Sequence, residues 1–83
     1  MAVTVKLSTM LRKETGVKEY ESSARSVGAV MEELVDRHGT GVNRHLEGCI
    51  VTVNGKNAEM LKGAKTKLRS GDVVSIIPRL AGG

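Results

Sequence analysis

The sequence predicts an α+β fold of two layers, a mixed four- or five-stranded sheet with one main helix packed on one face. Three features carry that expectation: alternating apolar residues at the start of the chain, one amphipathic stretch of helical period, and an Asn-Gly turn ahead of a nearly all-apolar run. Eighty-three residues fit one core and leave no room for a second. With no Trp, no Phe and one Tyr, that core has to be built from Val, Leu, Ile and Met.

Each element follows from its own residues. In residues 2–8, Val3, Val5 and Leu7 alternate with Thr4, Lys6 and Ser8, the period of a half-buried strand. Met10 and Leu11 fall in what reads as a turn region, ahead of the polar run 12–16. Residues 17–22 suit a second strand paired to the first, with Glu19 and Glu21 exposed and Tyr20 inward. Ser26 is placed to cap a helix, because its hydroxyl can accept from the free amides of the first turn. Val27, Val30, Met31, Leu34, Val35 and His38 then share helical spacing over about three turns. Gly39 is expected to close that helix in the left-handed conformation.

Residues 40–48 read as a loop with, at most, a short helical turn around 42–46. Residues 50–53 form a β-branched strand, and Asn54-Gly55 after it signals a tight hairpin because both residues tolerate positive φ. A short return strand is expected over 56–59, then a connection over 60–68 anchored by Leu61 and Leu68. The turn Ser70-Gly71-Asp72 launches the apolar run 73–77, the pattern of a central strand, and Pro78 stops it by removing a ladder donor. Hairpin, helix, hairpin and central strand close as a β-grasp sheet if the last strand lies between the first and third, parallel to the first. The expected organisation is a globular domain over 1–78 and a flexible Gly-Gly tail over 79–83.

The net charge of +4 lies wholly in residues 44–83, where Lys56, Lys62, Lys65, Lys67 and Arg69 crowd together. A basic face steers toward an acidic partner, but no aromatic residues are interleaved with it for base stacking. Nucleic acid is therefore not the expected direct ligand. The lone Cys49 excludes an internal disulfide, and no apolar stretch is long enough to span a bilayer. With no signal-peptide pattern over residues 1–7, the expected location is the cytoplasm, away from membranes.

The catalytic signatures fail in turn. Gly55-Lys56 lacks the preceding glycine and following hydroxyl of a phosphate loop, and Gly39-Thr40-Gly41 lacks the third glycine of a dinucleotide fingerprint. His38, His45 and Cys49 match no zinc spacing, so no metal site is expected, and nothing orients His45 toward Cys49 as a nucleophilic pair. The tail Arg79-Leu80-Ala81-Gly82-Gly83 remains. Five extended residues reach about 17 Å. Two glycines without Cβ atoms let the backbone thread a narrow channel and take angles closed to other residues. A terminal carboxylate becomes an electrophile only after activation, and a chain with no nucleotide loop has to be the substrate of a separate activating enzyme.

These residues resemble the molybdopterin synthase small subunit family (MoaD), related to the thiamine-pathway carrier ThiS. The likeness runs from Val3-Thr4-Val5-Lys6-Leu7 and Leu11-Arg12-Lys13-Glu14-Thr15-Gly16 through Ser26-Val27-Gly28 and Val53-Asn54-Gly55. It is most specific over residues 68–78 and Ala81-Gly82-Gly83. The resemblance implies a ubiquitin-like β-grasp and a sulfur carrier, not an enzyme. An adenylating enzyme related to ubiquitin activators would use ATP on Gly83, sulfur would replace AMP, and the thiocarboxylate would be spent in molybdopterin synthesis. Pro78, Arg79, Leu80, Ala81 and Gly82 would be the recognised tail. The partners implied are that activating enzyme and the molybdopterin synthase large subunit or another sulfur-acceptor enzyme, with no cofactor held by the chain itself. Conjugation of Gly83 to lysines, tRNA thiolation, thiamine synthesis and a tail-independent binding module are the alternatives. The family commonly carries a second proline where Arg79 stands, and a Phe near Ser8-Thr9-Met10, where Met10 is the candidate to fill the same space.

Overall fold

The computed structural model describes residues 2–79, and Leu80, Ala81, Gly82 and Gly83 of the expected tail lie outside them. Strand β1 (Val3–Leu7) leads into helix α1 (Thr9–Thr15), strand β2 (Glu19–Ser22), and helices α2 (Val27–His38) and α3 (Thr40–Glu47). Strands β3 (Cys49–Val53), β4 (Lys56–Asn57) and β5 (Val73–Pro78) follow, with 3₁₀ turns at Ala58–Met60 and Gly63–Lys65 between the last two. The sheet order is β2-β1-β5-β3-β4. As expected, β5 is central: it runs parallel to β1, with Val5 opposite Val74, and antiparallel to β3, with Val51 opposite Ile76.

One sheet face carries Val3, Val5, Leu7, Val53, Val74 and Ile76, all buried. Against it pack Val27, Val30 and Leu34 of α2, Leu11 of α1, and Val42 and Leu46 of α3. Tyr20, opposite Val5, also packs on this core, as the alternation of β2 predicts. The other face presents Thr4, Lys6, Ser75 and Ile77, the intervening positions of β1 and β5.

Two expected irregular segments are helical. Ser8 caps α1 by accepting from the Leu11 amide at 3.3 Å, and Gly16 ends it at φ 75°, ψ 7°, its amide donating to the Arg12 carbonyl. In α3, Val42 and Leu46 lie one turn apart and fill the core, which stabilises a helix whose remaining residues are polar. Ser26 caps α2 as expected, accepting from the Ala29 amide at 3.1 Å. Gly39 has positive φ, but with φ 86° and ψ −176° it is extended, not left-handed helical. That geometry lets it end α2 and begin α3 at once.

The Asn54-Gly55 turn has φ 51° and φ 86°, the positive pair that a tight hairpin needs. Asn54 also reaches the start of β5: its amide side chain donates to Asp72 Oδ1 at 2.9 Å, and its Oδ1 accepts from the Val73 amide at 2.8 Å. The return strand β4 is shorter than expected because Asn57 accepts from the Glu59 amide and starts a 3₁₀ turn. Leu68 anchors the following connection at 4% exposure, whereas Leu61, expected to do the same, is 43% exposed. Gly28 allows α2 to meet this connection, since a Cβ there would lie 3.0 Å from the Ala64 carbonyl oxygen.

Candidate functional site

Because β1 and β5 are parallel, their carboxyl ends lie side by side, and the chain leaves β5 next to the β1–α1 junction. Pro78 is opposite Cys49 at the last rung of the β5–β3 ladder. Arg79 continues that edge by one bond, its amide donating to the Gly48 carbonyl at 3.0 Å. Its guanidinium reaches across to Glu59, with Arg79 Nη2 2.9 Å from Glu59 Oε1. The root of the tail is thus bound to two separate pieces of the fold, the start of β3 and the first 3₁₀ turn.

Beside this root lies a shallow depression of ≈ 390 Å³, bordered by Lys6, Thr9, Met10, Arg12, Ile77 and Pro78. Met10 and Ile77 are 54% and 42% exposed, an apolar centre left open to solvent. Arg12 is oriented along the rim by donating from Nε to the Leu7 carbonyl at 2.9 Å. Apolar groups flanked by cations form a surface suited to a protein partner with an apolar contact ringed by carboxylates. Met10 does not take an interior place. Once Ser8 is seen to cap a helix, Met10 and Leu11 must point about 100° apart, so burying Leu11 turns Met10 outward. The cap was the signal in the sequence that would have found it. No spacing rule relates Glu59 to Arg79.

The remaining candidates are not brought into one catalytic arrangement. The Cys49 thiol donates to the backbone carbonyl of His45 at 2.9 Å, and burial raises its pKa, favouring the unreactive protonated form. The His45 imidazole instead meets Glu14, with Nε2 3.7 Å from Oε2. Among the described residues, no three His, Cys, Asp or Glu side chains converge as metal ligands would. Lys56, Lys62, Lys65, Lys67 and Arg69 are exposed along β4 and the connection to β5, away from the depression. No helix among the described residues is long and apolar enough to cross a membrane.

A five-stranded β-grasp sheet with a tail rooted at the end of its central strand defines the class of small ubiquitin-like carriers and modifiers. The ThiS family model matches residues 5–83, and the chain belongs to that family. It is 32% identical to the sulfur carrier protein CysO of Mycobacterium tuberculosis over the full length of both chains. The solution structure of small archaeal modifier protein 1 from Methanosarcina acetivorans superposes with a TM-score of 0.85 at 26% identity, covering 99% of this chain and 96% of that one. A Pyrococcus furiosus protein described provisionally as subunit 1 of a molybdopterin converting factor gives a TM-score of 0.77 at 26% identity, covering 96% and 99%. The curated relative is named as a sulfur carrier protein, and the Pyrococcus protein is named as one subunit of a larger factor.

Proposed function

We propose that the carboxylate of Gly83 carries sulfur. An oxygen of that carboxylate attacks the α-phosphorus of ATP in a separate activating enzyme, and pyrophosphate leaves. A sulfide-level donor then attacks the acyl carbon, AMP departs, and a thiocarboxylate remains. Pro78, Arg79, Leu80, Ala81 and Gly82 are the stretch that the activating enzyme reads, while the folded body docks through the depression around Met10 and Ile77. The observation that carries this reading is the family match, which runs through to Gly83. The physical support is division of labour: the body supplies binding area, and the glycines let the carboxylate enter a confined site.

The sulfur acceptor is a pterin precursor of molybdopterin, a reading supported by similarity to the Pyrococcus factor. The chemistry requires ATP and partner enzymes, which supports a cytoplasmic location. Incubating the full chain with ATP, its cognate activating enzyme and sulfide should exchange one oxygen for sulfur in the intact mass, and Gly83→Ala should reduce that yield at least tenfold. An unmodified mass where an authentic carrier is converted by its own enzyme overturns the proposal. Similarity to the Methanosarcina modifier supports a second use of the same activated glycine, attack by a partner's lysine amine with loss of AMP. Gly-Gly remnants on lysines of partner proteins would reveal it.

A further inference from the structure

We infer that Glu59 is a positioning residue that sets the direction in which the tail leaves the fold, an inference that rests on the carrier reading of Gly83. At Arg79, the last described residue, the sheet supplies one backbone bond, from the Arg79 amide to the Gly48 carbonyl. One hydrogen bond fixes a position but leaves rotation about the chain open. The Arg79–Glu59 pair supplies a second point of attachment at 2.9 Å, on a segment twenty residues earlier in sequence. Two attachments on different elements define a direction where one defines only a point.

Glu59 is itself held. Its amide donates to Asn57 Oδ1 at 2.9 Å, and it lies within the 3₁₀ turn Ala58–Met60, whose Ala58 is buried in the core at 4% exposure. The carboxylate is therefore presented from a fixed support. It also stands among cations, with Lys56 and Lys62 three residues away on either side. Glu59 is the one acidic residue between Lys56 and Arg69, so no neighbouring carboxylate in that segment can substitute for it. Both partners are largely exposed, 58% for Arg79 and 67% for Glu59, so the pair is weak enough to open within a complex. Its effect is to limit the orientations that an activating enzyme has to select from, which appears in KM and not in kcat, because the reacting carboxylate lies four residues beyond Arg79.

The test combines a charge reversal with a measurement that needs no partner. In the free protein, Glu59→Gln should speed hydrogen exchange of the Arg79 amide about two- to fivefold, with the melting temperature unchanged; the range is that expected of an exposed ion pair. With the activating enzyme, Glu59→Arg should raise KM for ATP-dependent adenylation by at least a similar factor at constant kcat. In the free protein, combining Glu59→Arg with Arg79→Glu should bring protection of the residue-79 amide back toward the wild-type value. High salt should make wild type and Glu59→Gln converge, since at 1 M the screening length falls to about 3 Å. Equal Arg79 exchange in wild type and Glu59→Gln, or a double reversal whose residue-79 amide stays as unprotected as in Arg79→Glu alone, overturns the inference. Failure of the wild-type chain to be adenylated counts against the carrier reading, and the exchange experiment still decides whether Glu59 holds Arg79.

Discussion

Asp72 joins the loop before β5 to the β3–β4 turn, with Oδ1 accepting from Asn54 and Oδ2 from the Arg69 amide at 2.8 Å. The Arg69 amide, then Asn54, stabilise the ionised carboxylate and lower its pKa below the ordinary 3.8. A depressed folded-state value means the contribution is complete above the unfolded value and fades as pH falls through the folded one. Wild type should therefore resist urea better than Asp72→Asn at neutral pH. The gap should narrow below about pH 3.8 and close in stronger acid, when unfolding is followed across that range. An undiminished gap at low pH would assign the stabilisation to packing. Tyr20 shows a different use of an interior polar group. Its hydroxyl is buried with no hydrogen-bond partner among the described residues, and burial, followed by the nearby Glu33 carboxylate, raises its pKa. Arg37 lies over the ring at 5.3 Å and opposes that rise.

At the scale of elements, Gly28 sets the separation between α2 and the connection carrying Leu68. Ala64 contributes both a carbonyl oxygen at 3.0 Å and a Cβ at 3.4 Å from where a side chain would begin, so a branched residue has no room. Gly28→Val should lower stability by about 1–3 kcal/mol, the usual range for overpacking, despite removing a glycine from a helix interior. Thermal unfolding by circular dichroism checks this, and an unchanged melting temperature would mean that the connection yields freely. The strand order was legible because the alternation in 3–7 and the dense apolar run 73–77 demand different burial. The Asn-Gly turn and the Ser26 cap were legible because their chemistry is local. Helix α1 was not, and α3 was legible only as a turn around 42–46: each is short, and α3 offers only Val42 and Leu46 to the core. Their stability comes from tertiary burial that no window of neighbouring residues contains. Leu61 misled for the complementary reason, since an apolar residue carries no record of which side of a turn it will occupy.

For the whole molecule, the main asymmetry lies between the covered sheet face and the open one, with Met10 and Ile77 outside the core beside the tail's root. Met10→Asp should leave the fold within about 0.5 kcal/mol of wild type, because that side chain is 54% exposed, whereas Ile77→Asp, in the central strand opposite Ile50, should cost about 1 kcal/mol and still leave the protein folded. The same changes should raise KM for adenylation at least tenfold, about 1.4 kcal/mol of lost binding, if an acidic-rimmed partner covers the depression. Retained KM in both variants would move the docking surface elsewhere. The root of the site was partly legible: Pro78 was expected to end the sheet, but the Arg79–Glu59 contact joins positions that only the completed fold brings together. The parallel pairing of β1 with β5 carries a consequence for synthesis. A nascent polypeptide displays β1 early, yet that strand gains its central neighbour only when β5, which follows every other described strand, has emerged. Because β5 also supplies Val74 and Ile76, the interior is completed only by the strand that leads into Arg79, and until then the earlier elements lack their shared support.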